Sequence, residues 1–172
     1  MIETVQHTIL FDFNDPSSRQ AWYILNDGVM GGISRSKTEA TEEGMRFSGV
    51  VRLENNGGFA SIRCQFRPAD FSPYTGMMLR VRGDGKRYGI YFQNNFGPIM
   101  HQANFSTKTG EWQDVYVPFT ALQVRWYGQP IIAPPLDLRR VVSINVIIEE
   151  NQAGSFTLDL SRIALYQEIQ TF

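Results

Sequence analysis

The sequence predicts an all-β protein built as an antiparallel β-sandwich or barrel. Apolar and polar residues alternate with period two in at least seven segments, which is typical of strands with one buried face. Clusters of Gly, Pro, Asn and Asp separate these segments, and helical spacing is almost absent. The chain has 172 residues, of which 42% are hydrophobic. It is therefore long enough to bury a core as one domain over residues 1–172.

The predicted elements follow one another at short intervals along the chain. A short helix is expected after Asp15, because Asp can cap a helix and Pro16 suits its first turn. The alternate residues of each strand are expected to point away from the core, since an antiparallel sheet tolerates one polar face. The apolar faces of the seven strands span positions 45–53, 60–66, 77–81, 88–92, 115–119, 142–148 and 156–160.

Composition excludes several classes of protein. The formal net charge is −1, so there is no general electrostatic attraction to nucleic acid or to an anionic membrane. Cys64 is the only cysteine, which excludes an internal disulfide and a cysteine-cluster metal site, and two histidines are too few for a His-rich zinc site. No apolar run is long enough to cross a membrane, and the acidic N-terminus does not resemble a secretory signal.

The residues that point away from the predicted core are rich in Arg, Tyr, Gln and Asn. Such a face can bind a carboxylate, a sugar or a peptide, because Arg donates two parallel hydrogen bonds and aromatic rings stack on apolar surfaces. Neighbouring like charges on a sheet are unfavourable, so Arg63, Arg80 and Arg82 need either acidic partners or a ligand. The alternative is a solvated face, which every sandwich has. The candidate binding residues are Arg63, Arg80, Arg82, Tyr91, Gln93, Trp112, Tyr116 and Asn145.

A glycine-rich segment, residues 22–34, is a second candidate region. It lacks the GxxxxGK pattern of a phosphate-binding loop. One interpretation is a loop whose glycines allow close backbone packing, with Val29 and Met30 tucked under the sheet. The other is a rim loop beside a binding face, with Asp27 as a polar contact. Asp27 and Ser34 are therefore included among the candidate binding residues.

The sequence contains no recognisable catalytic or metal-binding arrangement. The GxSxG and HExxH motifs are both absent. His101 alternates with apolar residues, so we expect a packed side chain. Asp12 and Asp159 could meet at a structural calcium ion, but two carboxylates do not fill its roughly six to eight oxygen positions. The sequence therefore predicts no catalytic residue, no metal ion and no cofactor.

Several motifs resemble those of the complex I intermediate-associated protein 30 (CIA30) family. The most specific combination is DGVMGGIS at residues 27–34 with NGGFASIR at residues 56–63. LRVRGDG at 79–85 and EWQDVYVPF at 111–119 also match, and the resemblance spans roughly residues 9–167. The motif positions expected to form a shared surface or scaffold are Asp27, Gly31, Gly32, Ser34, Phe59, Arg63, Arg80 and Arg82.

This resemblance implies a galactose-binding-domain-like jelly roll. It also implies a non-enzymatic assembly factor or chaperone whose partners are protein subunits of a multi-subunit membrane redox or photosynthetic complex. Mitochondrial members help to build NADH:ubiquinone oxidoreductase. The chain lacks the N-terminal extension of those members, so a bacterial-type, cytoplasmic protein is expected. Exposed Trp126 and Tyr127 would allow peripheral membrane contact, unless this segment folds over the core.

Three functions from different classes follow. The leading hypothesis is an assembly module that holds a partner on its polar face, and it predicts that reversing the charges of Arg80 and Arg82 abolishes partner capture. The second is a carbohydrate-binding module that uses exposed aromatic residues. The third is an enzyme with a small cofactor in the loop at residues 26–34. The aromatic candidates for sugar binding are Tyr91, Trp112, Tyr116 and Trp126.

Overall fold

A computed structural model describes residues 2–171, which form two antiparallel β-sheets packed face to face. Most of the strands are followed by turns that contain Gly, Pro or Asn. In chain order the elements are β1 (Ile2–Asp12), α1 (Pro16–Gln20), β2 (Tyr23–Ile24), β3 (Arg35–Thr41), β4 (Gly44–Val51), β5 (Ala60–Ala69), β6 (Gly76–Arg82), β7 (Arg87–Gln93), β8 (Ile99–Ser106), β9 (Trp112–Pro118), β10 (Gln123–Trp126), β11 (Gln129–Pro130), β12 (Val141–Ile148) and β13 (Gly154–Thr171).

The first sheet, sheet A, has six strands. Its order is β3-β4-β13-β6-β9, and β1 also pairs with β13. Strand β13 is 18 residues long and serves two neighbours in succession, since residues 154–160 pair with β4 and residues 162–171 pair with β1. Its central part also pairs with β6. The last strand of the chain therefore ties together elements from the beginning and the middle of the sequence.

The second sheet, sheet B, has seven strands in the order β11-β10-β8-β7-β12-β5-β2. Its two central strands, β7 and β12, contain almost only buried residues. Polar side chains are buried there as well as apolar ones, and all of these polar residues lie on the face that points away from the sandwich core. This outer face is the part of the fold that matters for function.

Side chains from both sheets fill one hydrophobic core. Phe47 and Phe156 of sheet A and Ile90 and Ile144 of sheet B are each at most 2% exposed. Burial of such large apolar side chains contributes roughly 1.5–3 kcal/mol each. The predicted antiparallel sandwich is confirmed, and the period-two pattern identified the core faces of its strands. Leu53 is an exception, because β4 ends at Val51 and leaves Leu53 exposed.

The predicted short helix is present as α1. The carboxylate of Asp15 accepts a hydrogen bond of 3.0 Å from the backbone N–H of Ser17, and Pro16 occupies the first turn. Both features follow the capping chemistry on which the prediction rested. Among the residues that the structure describes, no helix has the length and hydropathy that a membrane-spanning helix requires.

Candidate functional site

An open cleft of about 720 Å³ lies on the outer face of sheet B. Its floor is formed by side chains from the central strands. Its walls are loops at opposite ends of these strands, with residues 25–30 and 56–59 at one end and residues 97–98 and 127–129 at the other. We call this surface the sheet B cleft. Its volume is in the range of about 300–1,000 Å³ that is typical of ligand sites.

Polar side chains on the floor of the cleft hydrogen-bond to one another across three strands. Arg63 of β5, Asn145 of β12 and Tyr91 of β7 lie in register. Arg63 donates through Nε to Asn145 Oδ1 and through Nη2 to the Tyr91 hydroxyl, at 3.1 Å. Asn145 Nδ2 donates to Ser143 Oγ at 3.0 Å, and Ser143 Oγ donates to Gln93 Oε1 at 2.9 Å. The predicted residues Arg63, Tyr91, Gln93 and Asn145 thus form one preorganised network.

The charge of Arg63 is not balanced by this network. Both of its hydrogen-bond acceptors are neutral, and among the side chains that the structure describes, those of residues 4–170, no carboxylate oxygen lies within 4.0 Å of its guanidinium nitrogens. Burial raises the pKa of the Tyr91 hydroxyl, although the charge of Arg63 opposes that shift, so Tyr91 is neutral at physiological pH. A half-buried cation without a counter-charge therefore faces the open cleft.

A second polar cluster lies at the neighbouring edge of the floor. Glu149 Oε1 accepts hydrogen bonds from Arg125 Nη1 at 2.6 Å and from Gln102 Nε2 at 2.7 Å. Arg125 and Glu149 are each about four-fifths buried, so their pairing is only weakly screened by solvent. The Gln102 Oε1 atom is buried and has no hydrogen-bond partner within the described chain. Unlike Arg63, this cluster carries its own compensating charge.

The rim of the cleft carries exposed apolar side chains at both ends. Val29 is 70% exposed and Met30 is 54% exposed at one end, and Tyr127 is 62% exposed at the other. The prediction that Val29 and Met30 tuck under the sheet was wrong. The 3-10 turn Asp27–Met30 directs the side chain of Asp27 inward, so the two apolar residues that follow it project into solvent.

Asp27 anchors this rim loop. It is fully buried, and its carboxylate accepts hydrogen bonds from Ser34 N–H at 2.9 Å, Ser34 Oγ at 2.5 Å, Gly58 N–H at 2.8 Å and Phe59 N–H at 3.3 Å. Burial tends to raise the pKa of Asp27, but the hydrogen bonds from Ser34, Gly58 and Phe59 outweigh it, so the pKa lies below its ordinary value. The prediction that Asp27 and Ser34 contact a ligand is therefore corrected. Their side chains are buried against each other inside the loop.

The glycines around Asp27 make room for its carboxylate. A Cβ atom on Gly32 would lie 2.6 Å from Asp27 Oδ1, and one on Gly57 would lie 2.6 Å from Asp27 Oδ2. Neither separation is tolerated by real side chains, so both positions require glycine while Asp27 keeps its place. Gly28 has no such neighbour within 4 Å. The glycines of this loop thus surround a buried carboxylate and do not form a phosphate-binding cradle.

The remaining candidate arginines lie on the outer face of sheet A, which we call the sheet A face. The assumption that Arg63 neighbours Arg80 and Arg82 is wrong, because β5 and β6 belong to different sheets. Arg80 Nη1 pairs with Asp114 Oδ1 at 3.0 Å in the adjacent strand. Arg82 pairs with Asp159 at 3.0 Å and with Glu43 at 3.3 Å. The sequence predicted that these arginines need either acidic partners or a ligand, and in the fold they have acidic partners.

The aromatic residues of the sheet A face are also engaged within the protein. Trp112 Nε1 donates to Glu43 Oε2 at 2.9 Å, and the Arg82 guanidinium lies 4.8 Å from the centre of the Trp112 ring. The Tyr116 hydroxyl is 2.9 Å from His7 Nε2. This surface is therefore a network of paired charges and hydrogen-bonded rings.

The structure does not assemble the aromatic platform expected for sugar binding. Trp112 and Tyr116 lie on sheet A, whereas Tyr91 and Trp126 lie on sheet B. Tyr91 is only 4% exposed and offers no ring face to a ligand. Trp126 is half-exposed but contacts the neighbouring Tyr127 edge to face, with 4.6 Å between ring centres. The four rings do not share a surface.

The groups considered for metal binding and catalysis are separated or buried. Asp159 is bound by Arg46 at 2.7 Å and by Arg82, and Asp12 accepts instead from its own turn. In the part of the chain whose side chains are described, residues 4–170, no group of three or more His, Cys, Asp or Glu residues could hold a metal ion. Burial raises the pKa of the Cys64 thiol to about 11 and lowers that of His101, which packs in the core.

Comparison with known proteins identifies the family. The sequence profile described as "Complex I intermediate-associated protein 30 (CIA30)" matches residues 11–160. The chain belongs to the CIA30 family. Two mitochondrial proteins named complex I intermediate-associated protein 30 are similar to it. The Drosophila melanogaster protein is 25% identical over 91% of this chain and 62% of its own length, and the Mus musculus protein is 23% identical over 95% and 57%. The chain thus spans about 60% of these relatives.

The same two-sheet fold occurs in solved structures of carbohydrate-binding modules. The family 11 module of a cellulosomal cellulase from Clostridium thermocellum is similar with a TM-score of 0.71 and 18% identity, covering 94% of this chain and 95% of the module. That module in complex with a mixed-linked tetrasaccharide gives 0.68 and 19%, covering 92% and 94%. The agarase AgWH50C gives 0.65 and 14%, covering 91% and 24%. At these identities the likeness concerns the fold alone, and it confirms the galactose-binding-like jelly roll.

The two most specific CIA30 motifs meet in space. Residues 27–34 and 56–63 are joined through Asp27, which binds Ser34 in its own motif and the backbone of Gly58 and Phe59 in the other. Asp27 thus holds the two motifs together as one wall of the sheet B cleft. Arg63, the last residue of the second motif, reaches the floor of the cleft.

Sequence reasoning missed several residues of the cleft in this CIA30-family chain. Ser143 belonged to the alternating outer face of its strand but was not selected as a candidate. Arg125 and Glu149 meet only because β10 and β12 lie in one sheet, and no local pattern joins residues 24 positions apart. Tyr127 was named as an exposed residue, but only for membrane contact; it precedes Gly128 in the turn that exposes it beside the cleft.

Proposed function

We propose that this chain is a non-enzymatic assembly factor of the complex I type, which holds a protein subunit during construction of a multi-subunit membrane redox complex. The observation that carries the proposal is the CIA30 profile match over residues 11–160. Both curated relatives carry the name complex I intermediate-associated protein 30. The proposal transfers their named association to a chain that spans part of their length.

The sheet B cleft is the better-supported site for the partner. It combines an uncompensated cation, Arg63, with an exposed apolar rim that includes Met30 and Tyr127. Protein interfaces commonly combine apolar and aromatic contacts with a few oriented polar groups. On the sheet A face, Arg80 and Arg82 already have acidic partners, so a ligand that binds these arginines would have to displace Asp114 or Asp159.

A binding role also fits the chemistry of the cleft. Its lining residues include no histidine or cysteine, and its two carboxylates, Glu149 and Glu150, are paired with Arg125 and Arg87. General acid–base or nucleophilic catalysis needs a group that can exchange a proton or attack a substrate near neutral pH. The exposed ring of Tyr127 is part of the rim, and the neighbouring exposed ring of Trp126 supports contact with a subunit close to a membrane.

The test is affinity capture from detergent extracts of the source cells, read by quantitative mass spectrometry. The bait is the wild-type chain, Arg63→Glu or Arg80→Glu, each checked for folding by its melting temperature. The two variants carry the same charge reversal on opposite sheets. We expect the wild type and Arg80→Glu to enrich complex I subunits, and Arg63→Glu to lose about tenfold or more of that enrichment, because a like charge would face the partner.

Two results would contradict parts of the proposal. If Arg80→Glu loses the partner and Arg63→Glu keeps it, the partner binds the sheet A face, as the sequence alone suggested. If the wild type enriches no subunit of a membrane redox complex, the assembly role itself is wrong.

A further inference from the structure

We propose that the sheet B cleft binds an extended segment of the partner protein, in which one Asp or Glu side chain pairs with Arg63 and flanking apolar residues contact the rim. This inference rests on the proposed function and specifies the chemistry of the partner. It identifies the segment by its charge and shape, both of which the cleft residues determine.

Hydrogen bonds hold the Arg63 guanidinium group in a fixed orientation. Its Nε and Nη2 atoms donate to Asn145 and Tyr91, which fixes the plane of the guanidinium group. Its Nη1 atom has no protein partner in the described chain, and the group lines the open cleft. Arginine held in this way is preorganised for a carboxylate, which can accept from the free edge of the planar group.

The charges that line the cleft limit how much negative charge a ligand can bring. Glu149 and Glu150 also line the cleft. The charges of Arg63 and Glu149 both act on the Tyr91 hydroxyl, so the two groups share one electrostatic environment. Arg125 and Arg87 are already paired with these carboxylates, so a phosphate or a polyanion would bring more negative charge than Arg63 alone can balance. A single carboxylate on an otherwise uncharged segment suits the balance better.

The width of the cleft sets the length of the segment that can bind across it. Arg63 is on β5, and three strand spacings separate this strand from β8, whose Met100 lines the opposite wall. At about 4.8 Å for each spacing the distance is about 14 Å. An extended chain covers it in roughly four to five residues. A segment that also contacts Met30 and Tyr127, which lie at opposite ends of the strands, must extend further at both ends, and the flexible side chain of Met adapts to varied apolar partners.

A glycan fits the same cleft less well. Sugar rings bind through aromatic faces, but Tyr91 on the floor is 4% exposed and presents only its edge and hydroxyl. Two further rings line the cleft, Tyr127 and the partly buried Phe59, but they lie at opposite ends of the strands and do not form one platform. The uncompensated charge of Arg63 and the apolar side chains of the rim therefore favour an acidic, apolar peptide segment.

The experiment is a selection of displayed random peptides of roughly nine residues against the purified full chain. Parallel selections use Arg63→Gln, Met30→Ser and the control Arg80→Gln. We expect peptides selected by the wild type and by Arg80→Gln to share one Asp or Glu between apolar residues. Arg63→Gln should remove the acidic preference and weaken a selected wild-type peptide by about tenfold or more, and Met30→Ser should reduce the apolar preference.

Other outcomes overturn the inference. These are a failure to enrich peptides, enrichment without an acidic position, or an acidic preference that survives in Arg63→Gln. Binding of a β-1,3-1,4-mixed-linked tetrasaccharide that depends on Arg63 would assign the cleft to glycans instead. If complex I subunits are captured through Arg63 but no acidic peptide is selected, only this inference fails. If acidic peptides bind but no complex I subunit is captured, the assembly role fails and the peptide site remains.

Discussion

Both outer faces of this sandwich carry arginines at outward-facing strand positions, but these arginines are paired with carboxylates on one face and not on the other. On the sheet A face Arg80 lies directly opposite Asp114, and the two side chains form an ion pair. In the sheet B cleft Arg63 lies opposite Asn145 and Tyr23, which are both neutral residues at its register position. The residue opposite in the neighbouring strand therefore determines whether an outward-facing arginine is already paired or is free to bind a ligand.

The same contrast applies to two buried carboxylates. Asp159, beside the sheet A face, is held by the guanidinium groups of Arg46 and Arg82. Asp27, at the rim of the cleft, is held by neutral N–H and O–H donors from Ser34, Gly58 and Phe59. One site is stabilised by opposite charges, which salt screens, and the other by short-range hydrogen bonds, which salt hardly affects.

The largest effect is expected from Asp27→Asn. The amide keeps the size of the side chain but turns one acceptor into a donor that faces the N–H groups of Gly58 or Ser34. We expect the free energy of unfolding to fall by about 3 kcal/mol, because buried donors lose their acceptor. Urea unfolding measures this change, and Asp114→Asn, at a half-exposed carboxylate, is the matched control.

The same pair of proteins tests the pH dependence of the Asp27 site. The pKa of Asp27 is below its ordinary value of 3.8, so the folded protein binds this proton less readily than the unfolded chain does. The stabilisation is therefore present above the ordinary pKa and is lost as pH falls through the folded-state value. Asp27→Asn should lose less stability than the wild type between about pH 7 and about pH 3. An equal loss would show that Asp27 does not contribute.

The next effect compares two glycines of the same loop. Gly32→Ala places a methyl group against the Asp27 carboxylate, whereas the equivalent atom at Gly28 meets nothing within 4 Å. We expect Gly32→Ala to lower the free energy of unfolding by about 2 kcal/mol through overpacking. Gly28→Ala should change it by less than about 0.5 kcal/mol. Similar values for both variants would contradict the packing of the loop around Asp27.

A smaller effect is expected from Asp159→Asn on the other face. Arg46 and Arg82 are partly exposed, so water replaces some of the lost interaction, and Arg82 keeps Glu43. We expect a loss of about 1–2 kcal/mol in the free energy of unfolding at low salt. The loss should shrink in about 1 M NaCl, whereas the loss in Asp27→Asn should stay nearly constant. Equal salt sensitivity of the two variants would remove the distinction between the two carboxylates.

The smallest effect concerns the pair that the sequence made most conspicuous. Arg80 and Asp114 are both more than a third exposed, so Arg80→Ala should cost less than about 1 kcal/mol of stability. It should also leave peptide binding to the sheet B cleft unchanged. Isothermal titration of a selected peptide checks the second point, and a clear loss of affinity would extend the binding site to the sheet A face.

Much of the fold could be predicted because it depends on local chemistry. The alternation of Met45 and Phe47, or of Ile144 and Val146, with polar neighbours identified core-facing strand positions. The cap of α1 followed from adjacent residues. The site was predicted only in part. Four candidates, Arg63, Tyr91, Gln93 and Asn145, do share the cleft floor, but others were drawn from the opposite sheet or from inside a loop.

Side-chain alternation and contiguous motifs are local properties, so the β-sandwich class, the core faces of the strands and the CIA30 resemblance could be predicted from the sequence. Which charges are balanced was set by the tertiary fold. Arg82 meets Asp159 across 77 positions, and Arg63 meets Asn145 across 82. It also turned Val29 outward and Asp27 inward, since the donors that hold this carboxylate include Gly58, 31 positions away. Charge compensation depends on distances in space, and the order of strands in each sheet sets those distances.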